Sequence, residues 1–223
     1  MIYISAHKDF NLVNKIILDH PKEYSIIDDC ELKNDYVIGV IHETSLNNKL
    51  YELHHLYGDM TRQYYIYKNL NLYMDDVIGF MQYRRMFNDN TLLNYREILR
   101  SYDVVVPCRW HIGNIIRQYN ICHQGNLLSI ALDLIYDKFE EYRSTIDTFR
   151  NTNFVIAHNM YIMKYKDFIS YCRFMFSTLD LLSSTNIQQY ERCYSFVAER
   201  LSTLFYMHHF KDRRLYHSDI TIY

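Results

Sequence analysis

Apolar positions along the chain switch between a two-residue and a 3.6-residue period. Residues 2–5 form a short apolar run, and residues 24–28 and 35–41, rich in Ile, Val and Tyr, read as buried strands. Between them a helix over 11–20 is stopped by Pro21. Residues 59–69 place Met60, Tyr64 and Tyr67 on one helical face. A strand over 77–81, a helix over 91–102 and a strand over 103–107 follow. The second half reads as mainly helical, over 111–119, 124–137 and 164–180, with a strand near 154–157. In 188–205, Tyr190, Cys193, Tyr194, Val197, Leu201, Leu204 and Phe205 recur at helical spacing. Strands alternating with helices predict a three-layer α/β domain with a mostly parallel sheet and a helical C-terminal half. No repeat, low-complexity tract or linker divides the chain, so 1–223 reads as a single domain.

Ligands of such folds sit at the carboxyl ends of the strands. Two basic clusters fall there: His7 and Lys8 after the first strand, and Gln82-Tyr83-Arg84-Arg85 after Met81. Two adjacent guanidinium groups repel one another and call for anionic partners. Carboxylates inside the fold would serve, and so would a bound anion. Lys68, just before the strand, adds to the anion side, and a diphosphate suits a fork of guanidiniums.

Composition narrows this further. Net charge is −2, with 24 basic and 26 acidic residues, which argues against a nucleic-acid partner and confines anion binding to a local site. Tyr (23) and Phe (12) are abundant; such rings stack on sugars and bases, although core or surface packing accounts for most single tyrosines. The five cysteines are odd in number and hold no C-x-x-C pair, which fits buried free thiols in a reducing compartment. The start resembles no leader peptide, and no apolar stretch approaches the ~20 residues that span a bilayer. A soluble cytoplasmic protein without a transmembrane segment is expected.

Familiar motifs are mostly missing. The absence of G-x-x-x-x-G-K and G-x-G-x-x-G removes the P-loop and dinucleotide readings, and the absence of G-x-S-x-G removes the usual hydrolase. His54-His55 and His208-His209 are adjacent pairs, better suited to the surface than to zinc. Asp75-Asp76 precedes its strand, where a solvated turn accounts for it; it is a weak candidate for a metal. Arg192, Ser195 and Glu199 stand opposite the apolar stripe of 188–205, as on any solvated helix face.

Several segments taken together carry more. "DDVIGFMQYRRMF" resembles the D-Y-I-G-L-x-H-Y-R-R-Y-F signature of a family of capsular-polysaccharide-type glycosyltransferases, long catalogued as a domain of unknown function. "GDMTRQYYIYKN" resembles its C-E-L-T-x-x-Y-W-x-W-K-N, and "IYISAHK" its first strand with T-H-K. "AHNMYIMKYKDFISYCRFMF" is similar to N-M-F-I-M-x-x-x-x-F-x-x-Y-C-x-W-L-F, and "YERCYSFVAERL" to Y-x-x-R-x-x-G-F-x-x-E-R-L. Tyr119 and His123 fit a Y-x-x-x-H element between them. The order holds over about 2–206. Departures are Gln82 for the family's His, Asp59 for its Glu, Ser195 for its Gly, and Tyr65 and Tyr67 for two tryptophans.

The resemblance implies a GT-A nucleotide-sugar fold. It also implies transfer of a sugar from a nucleoside-diphosphate donor, a UDP-sugar first, to a hydroxyl of a growing glycan. It assigns Glu199 as the base with Asp59 second, and Arg84, Arg85 and Lys68 as the diphosphate clamp. His7, Lys8, Thr61, Asn69, Tyr83, Asn159, Met160, Arg192 and Arg200 would surround the nucleotide and sugar. No cofactor is fixed: Mn2+ or Mg2+ would rest on Asp75 and Asp76, and without a metal the arginines would take its place. Gln82 and Asp59 also fit a non-catalytic glycan- or nucleotide-binding module on a transferase scaffold. One domain of a larger multi-transferase chain, or a phosphate-ester hydrolase, are further alternatives.

Overall fold

β1 (Ile2–Ala6) and β2 (Tyr24–Asp28) are buried along their whole length, as parallel strands covered on both faces must be. They belong to a computed structural model that describes residues 1–28, 38–45, 48–69, 76–123, 125–210 and 214–223. Between them lies α1 (Lys15–Asp19), capped by the Asn14 side chain on the Ile17 N–H. The expected helix over 11–20 shrinks to this, and Pro21 opens a 3-10 turn (Pro21–Glu23) rather than only ending a helix. β3 (Gly39–His42) pairs with β2; residues 35–37 of the expected strand lie outside the described residues. A turn of 3-10 helix and α2 (His54–Tyr57) lead to α3 (Met60–Lys68). β4 (Val77–Gln82) then reverses through Tyr83-Arg84 into β5 (Arg85–Phe87), which pairs back on it.

α4 (Asp89–Ser101), capped by Asn88, precedes β6 (Val104–Pro107). β7 (Trp110–His111) forms a small ribbon with β8 (Phe154–Val155) where a helix over 111–119 is expected. Gly113, at φ 75°, turns the chain, and the Asn114 side chain caps α5 (Ile115–Cys122), so the helix starts later. α6 (Leu127–Lys138) and α7 (Arg143–Phe149) follow. β9 (Tyr161–Lys164) runs into α8 (Tyr165–Ser183); then come α9 (Cys193–His209), β10 (Leu215–Ser218) and β11 (Ile220–Ile222).

The sheet order is β10-β6-β9-β4-β1-β2-β3, with β11 on β5 beside it. Every strand of that path except β9 runs in one direction, a mostly parallel sheet with one reversed member. Alternate side chains divide between its faces. Tyr3, Ile27, Ile78, Phe80, Val104, Val106, Tyr161 and Met163 join α3 and α5 to α9 in the larger core. Ile2, Ile4, Ile26, Val77, Met81, Val105 and Ile162 pack under α1 and α4. β4 sits tightly between its neighbours at Gly79: a Cβ there would lie 3.1 Å from both Ile2 and Ile162, so a larger residue would push those side chains aside. The strands of one direction thus end together along one edge, which brings Ser5, Gln82 and the turn before β9 close to one another.

Candidate active site

A cavity of about 300 Å³ opens at that edge. Ser5 and His7 line it from the end of β1, and Gln82, Tyr83, Arg84 and Arg85 from the β4–β5 hairpin. His54, His55, Gly58 and Asp59 come from α2 and the turn after it, and Glu191 and Arg192 from the entry to α9. Gly58 is held at φ 49°, and a Cβ there would meet the Ser195 hydroxyl at 3.1 Å. That close approach lets the turn carrying Asp59 rest against α9.

Asp59 is the best-connected carboxylate of the cavity. Its Oδ1 accepts from the Ser5 hydroxyl and from Arg62 Nη1, both at 3.0 Å, and its Oδ2 accepts from Gln82 Nε2 at 2.9 Å. An ionised carboxylate offers about four acceptor positions, so Oδ2 keeps one for a ligand. Arg62 is fully buried behind the wall, with the buried Glu43 3.9 Å from its Nε on the far side. Gln82 bridges further: Nε2 also donates to the His158 carbonyl at 3.1 Å, and Oε1 accepts from Arg85 Nη1 at 3.0 Å. The Gln82 amide therefore ties Asp59, Arg85 and the turn before β9 into one network.

His158 and Asn159 both take positive φ, 77° and 51°, a conformation that side chains of L-residues adopt only under constraint. The constraint is Glu199, whose Oε1 accepts the His158 N–H at 2.8 Å while Oε2 binds Arg200 at 2.8 Å. Arg200 in turn donates to Gln118 Oε1 at 3.0 Å. Burial first, and then the Arg85 charge, lower the His158 pKa to about 4, so the imidazole is neutral at pH 7. His123, stacked on Phe196 of α9, is lowered to about 4 by burial and then Arg200.

The expected site residues divide clearly. His7, Asp59, Tyr83, Arg84, Arg85 and Arg192 come together in the cavity wall. The Tyr83 ring is already enclosed: His7 meets it edge-on at 5.0 Å, Phe10 lies at 5.3 Å and the Arg84 guanidinium at 5.1 Å. Glu199 and Arg200 lie behind the wall, with Asn159 and the buried Met160. Thr61 is buried between Glu43 and His54. Lys8 is exposed beyond the rim. Lys68 stands away from the cavity over the Tyr64 and Tyr67 rings, and Asn69 caps its own helix. Asp75 lies outside the described residues; Asp76 is at the opposite end of β4 from Gln82, in a second cavity with Arg96 and Lys164.

Ser5, Arg62 and Glu191 are site residues that the sequence did not single out, and His54 and His55, read as a surface pair, also line the cavity. No local signal marks them, because the sheet edge and the α2 turn bring them together only in the fold. Among the described residues no group of three or more His, Cys, Asp and Glu is placed to hold a metal ion. No described helix is long and apolar enough to cross a membrane. The free thiols Cys172 and Cys193 are buried, and Cys122 is exposed.

A family model described as a domain of unknown function, DUF4422, matches residues 1–211. The fold is also that of a solved chain described as the bifunctional glycosyltransferase WbbM in its apo form, with a TM-score of 0.78 and 19% identity. The match takes in 99% of this chain and 45% of the other, so the chain spans under half the length of that protein. No curated protein matches. The likeness identifies the architecture as GT-A-like.

Proposed function

This chain belongs to the family of the domain of unknown function DUF4422, and on that premise we propose that it is a glycosyltransferase using a nucleoside-diphosphate sugar. The observation that carries the reading is the cavity at the carboxyl edge of the sheet. There Arg84, Arg85 and Arg192 face the one strongly anchored carboxylate, Asp59, which Arg62 neutralises from behind. The arginines leave room for an anion, and the diphosphate of a donor, UDP first, fits their geometry and charge. The GT-A-like architecture supports this placement, and the whole of 1–223 acts as one domain because both cores share one sheet.

In the reaction an acceptor hydroxyl of a surface or capsular-type glycan attacks the anomeric carbon. The bond from that carbon to the diphosphate oxygen breaks, and the hydroxyl proton passes to the free position on Asp59 Oδ2. The diphosphate departs as an anion against Arg84, Arg85 and Arg192. Glu199 supports the reaction by fixing the backbone N–H of His158, the residue whose carbonyl positions Gln82. The geometry thus favours Asp59 over Glu199 as the base. Among the described residues no group of three or more His, Cys, Asp and Glu is placed to hold Mn2+ or Mg2+. A glycan- or nucleotide-binding module without turnover is the second reading, favoured by the full engagement of the Gln82 amide.

A thermal-shift series with UDP, GDP, CDP, ADP and their sugar conjugates, with EDTA and with Mn2+, tests the donor site. A ligand at 100 times its dissociation constant should stabilise the fold by about 2.7 kcal/mol. Arg84→Ala, at an exposed position, should weaken that ligand about tenfold, a loss of about 1.4 kcal/mol. No stabilisation by any of these ligands would remove the donor reading, and loss of the shift in EDTA would make the site metal-dependent.

A further inference from the structure

Beyond the cavity, the β7–β8 ribbon stands off the main sheet and carries Trp110, the sole tryptophan of the chain, with its side chain half exposed at 51%. Large indoles are normally buried at least in part, and one displayed on a surface marks a place where a ligand can pack. The indole stands edge-on to the His158 ring, with centroids 4.7 Å apart. His158 is only 6% exposed, and its Nε2 is buried with no hydrogen-bond partner among the described residues. Its peptide leads directly to the reaction centre: the carbonyl accepts from Gln82, which holds Asp59. An exposed aromatic face therefore sits one residue away from the cavity wall, beside a buried polar atom that lacks a partner.

Sugar rings present C–H faces that pack on exposed aromatic rings such as this indole. We infer that Trp110 and His158 form an acceptor subsite, in which the indole stacks on a sugar ring of the glycan next to the cavity. The inference rests on the glycosyltransferase reading for the word acceptor; the sugar-binding surface itself does not. Trp110 selects and orients the glycan, and the buried His158 ring supports the indole edge-on from behind. The backbone of the ribbon, paired Trp110 to Val155 and His111 to Phe154, supplies a rigid base for that contact.

The test uses the intact chain and its single tryptophan, whose emission reports on this position alone. Wild type, Trp110→Ala and Trp110→Phe are applied to a printed array of defined short oligosaccharides. The glycan retained best is then titrated while tryptophan emission is followed. Wild type should be retained by at least one glycan, with a change in emission on titration. Trp110→Ala should bind that glycan about tenfold more weakly or worse, a step of about 1.4 kcal/mol, and Trp110→Phe should keep most of the affinity. Circular dichroism and thermal melting of both variants, matched to wild type, establish that the ribbon still folds.

Retention of no glycan, equal retention of wild type and Trp110→Ala, or flat emission during titration each overturns the subsite. Nucleoside-diphosphate binding is measured on the same samples. If it is present while glycan retention is absent, the subsite fails and the donor reading stands. If glycan retention depends on Trp110 while no nucleotide binds, the subsite stands and the transferase reading fails.

Discussion

Asp59 and Glu199 occupy two corners joined through a single residue, His158, and their surroundings differ in kind. At His158 the N–H points to Glu199 and the carbonyl to Gln82, which donates in turn to Asp59. Asp59 is held by side chains that line the cavity, Ser5 and Gln82, and its side chain is 18% exposed. Glu199 is comparably exposed, at 21%, yet its partners are a backbone amide and the buried Arg200, neither of them in the cavity wall. A carboxylate on a helix face and one on a turn are alike in exposure; what separates them is which groups they hold in place. One corner faces the cavity, and the other fixes a strained turn.

The largest effect that would break this distinction comes from Asp59→Asn. Loss of a general base costs about 10²–10⁴-fold in turnover. Donor binding, measured by thermal shift, should stay within a few-fold, because the arginines remain. Turnover that survives Asp59→Asn would remove Asp59 from the chemistry and return the question to Glu199. A purely structural role would instead lower the melting temperature and donor binding together.

His158 joins the corners, and it makes their coupling visible through pH. Its folded pKa is lowered to about 4, by burial and then by Arg85, whereas the unfolded value is about 6.5. Above pH 6.5 neither state carries the proton and stability is unaffected. As the pH falls from about 6.5 to 4, the unfolded chain takes up a proton that the folded chain refuses, so stability declines, by up to about 3 kcal/mol. His123, lowered to about 4 as well, contributes in the same window. The measurement is therefore the difference in denaturation midpoint between wild type and His158→Gln across pH 7 to 4 (roughly this window). A difference that stays constant over the range would mean that His158 titrates freely, and that the turn is looser than its hydrogen bonds indicate.

Much of the scaffold was legible in the sequence because long periodic segments declare themselves. β1, β2, β4, α3 and α9 lie close to where apolar spacing placed them, and the basic residues at strand ends do reach one edge. β9 was missed because its four residues run without a break into α8, and only the helix from 164 onward was expected there. β10 and β11 are short and only half buried, which leaves almost no alternation to detect. The candidate site was half legible. Arg84, Arg85 and His7 are marked by position and type and Arg192 only by the family resemblance, whereas Ser5, Arg62 and Glu191 acquire meaning only through contacts across the fold. Lys68 shows the converse error: its place just before β4 suggested the clamp, but the end of α3 turns it over Tyr64 and Tyr67 instead.

Glu199→Gln gives the smallest of these effects and the sharpest division of roles. The amide oxygen introduced by this substitution retains the acceptor that the His158 N–H needs, so the left-handed turn keeps its tether. Arg200 loses the charge of its partner and is left with the Phe196 carbonyl and Gln118. Losing one hydrogen bond to a charged group costs about 2 kcal/mol, and the partial exposure of Glu199 keeps the figure from rising to that of a fully buried pair. The expected result is a lower melting temperature, with turnover reduced about tenfold or less because Gln82 shifts slightly against Asp59. Collapse of turnover at an unchanged melting temperature would exchange the two corners: Glu199 would then be the base, reaching the acceptor after a movement of the His158 turn, and Asp59 would be the residue that holds the wall in place.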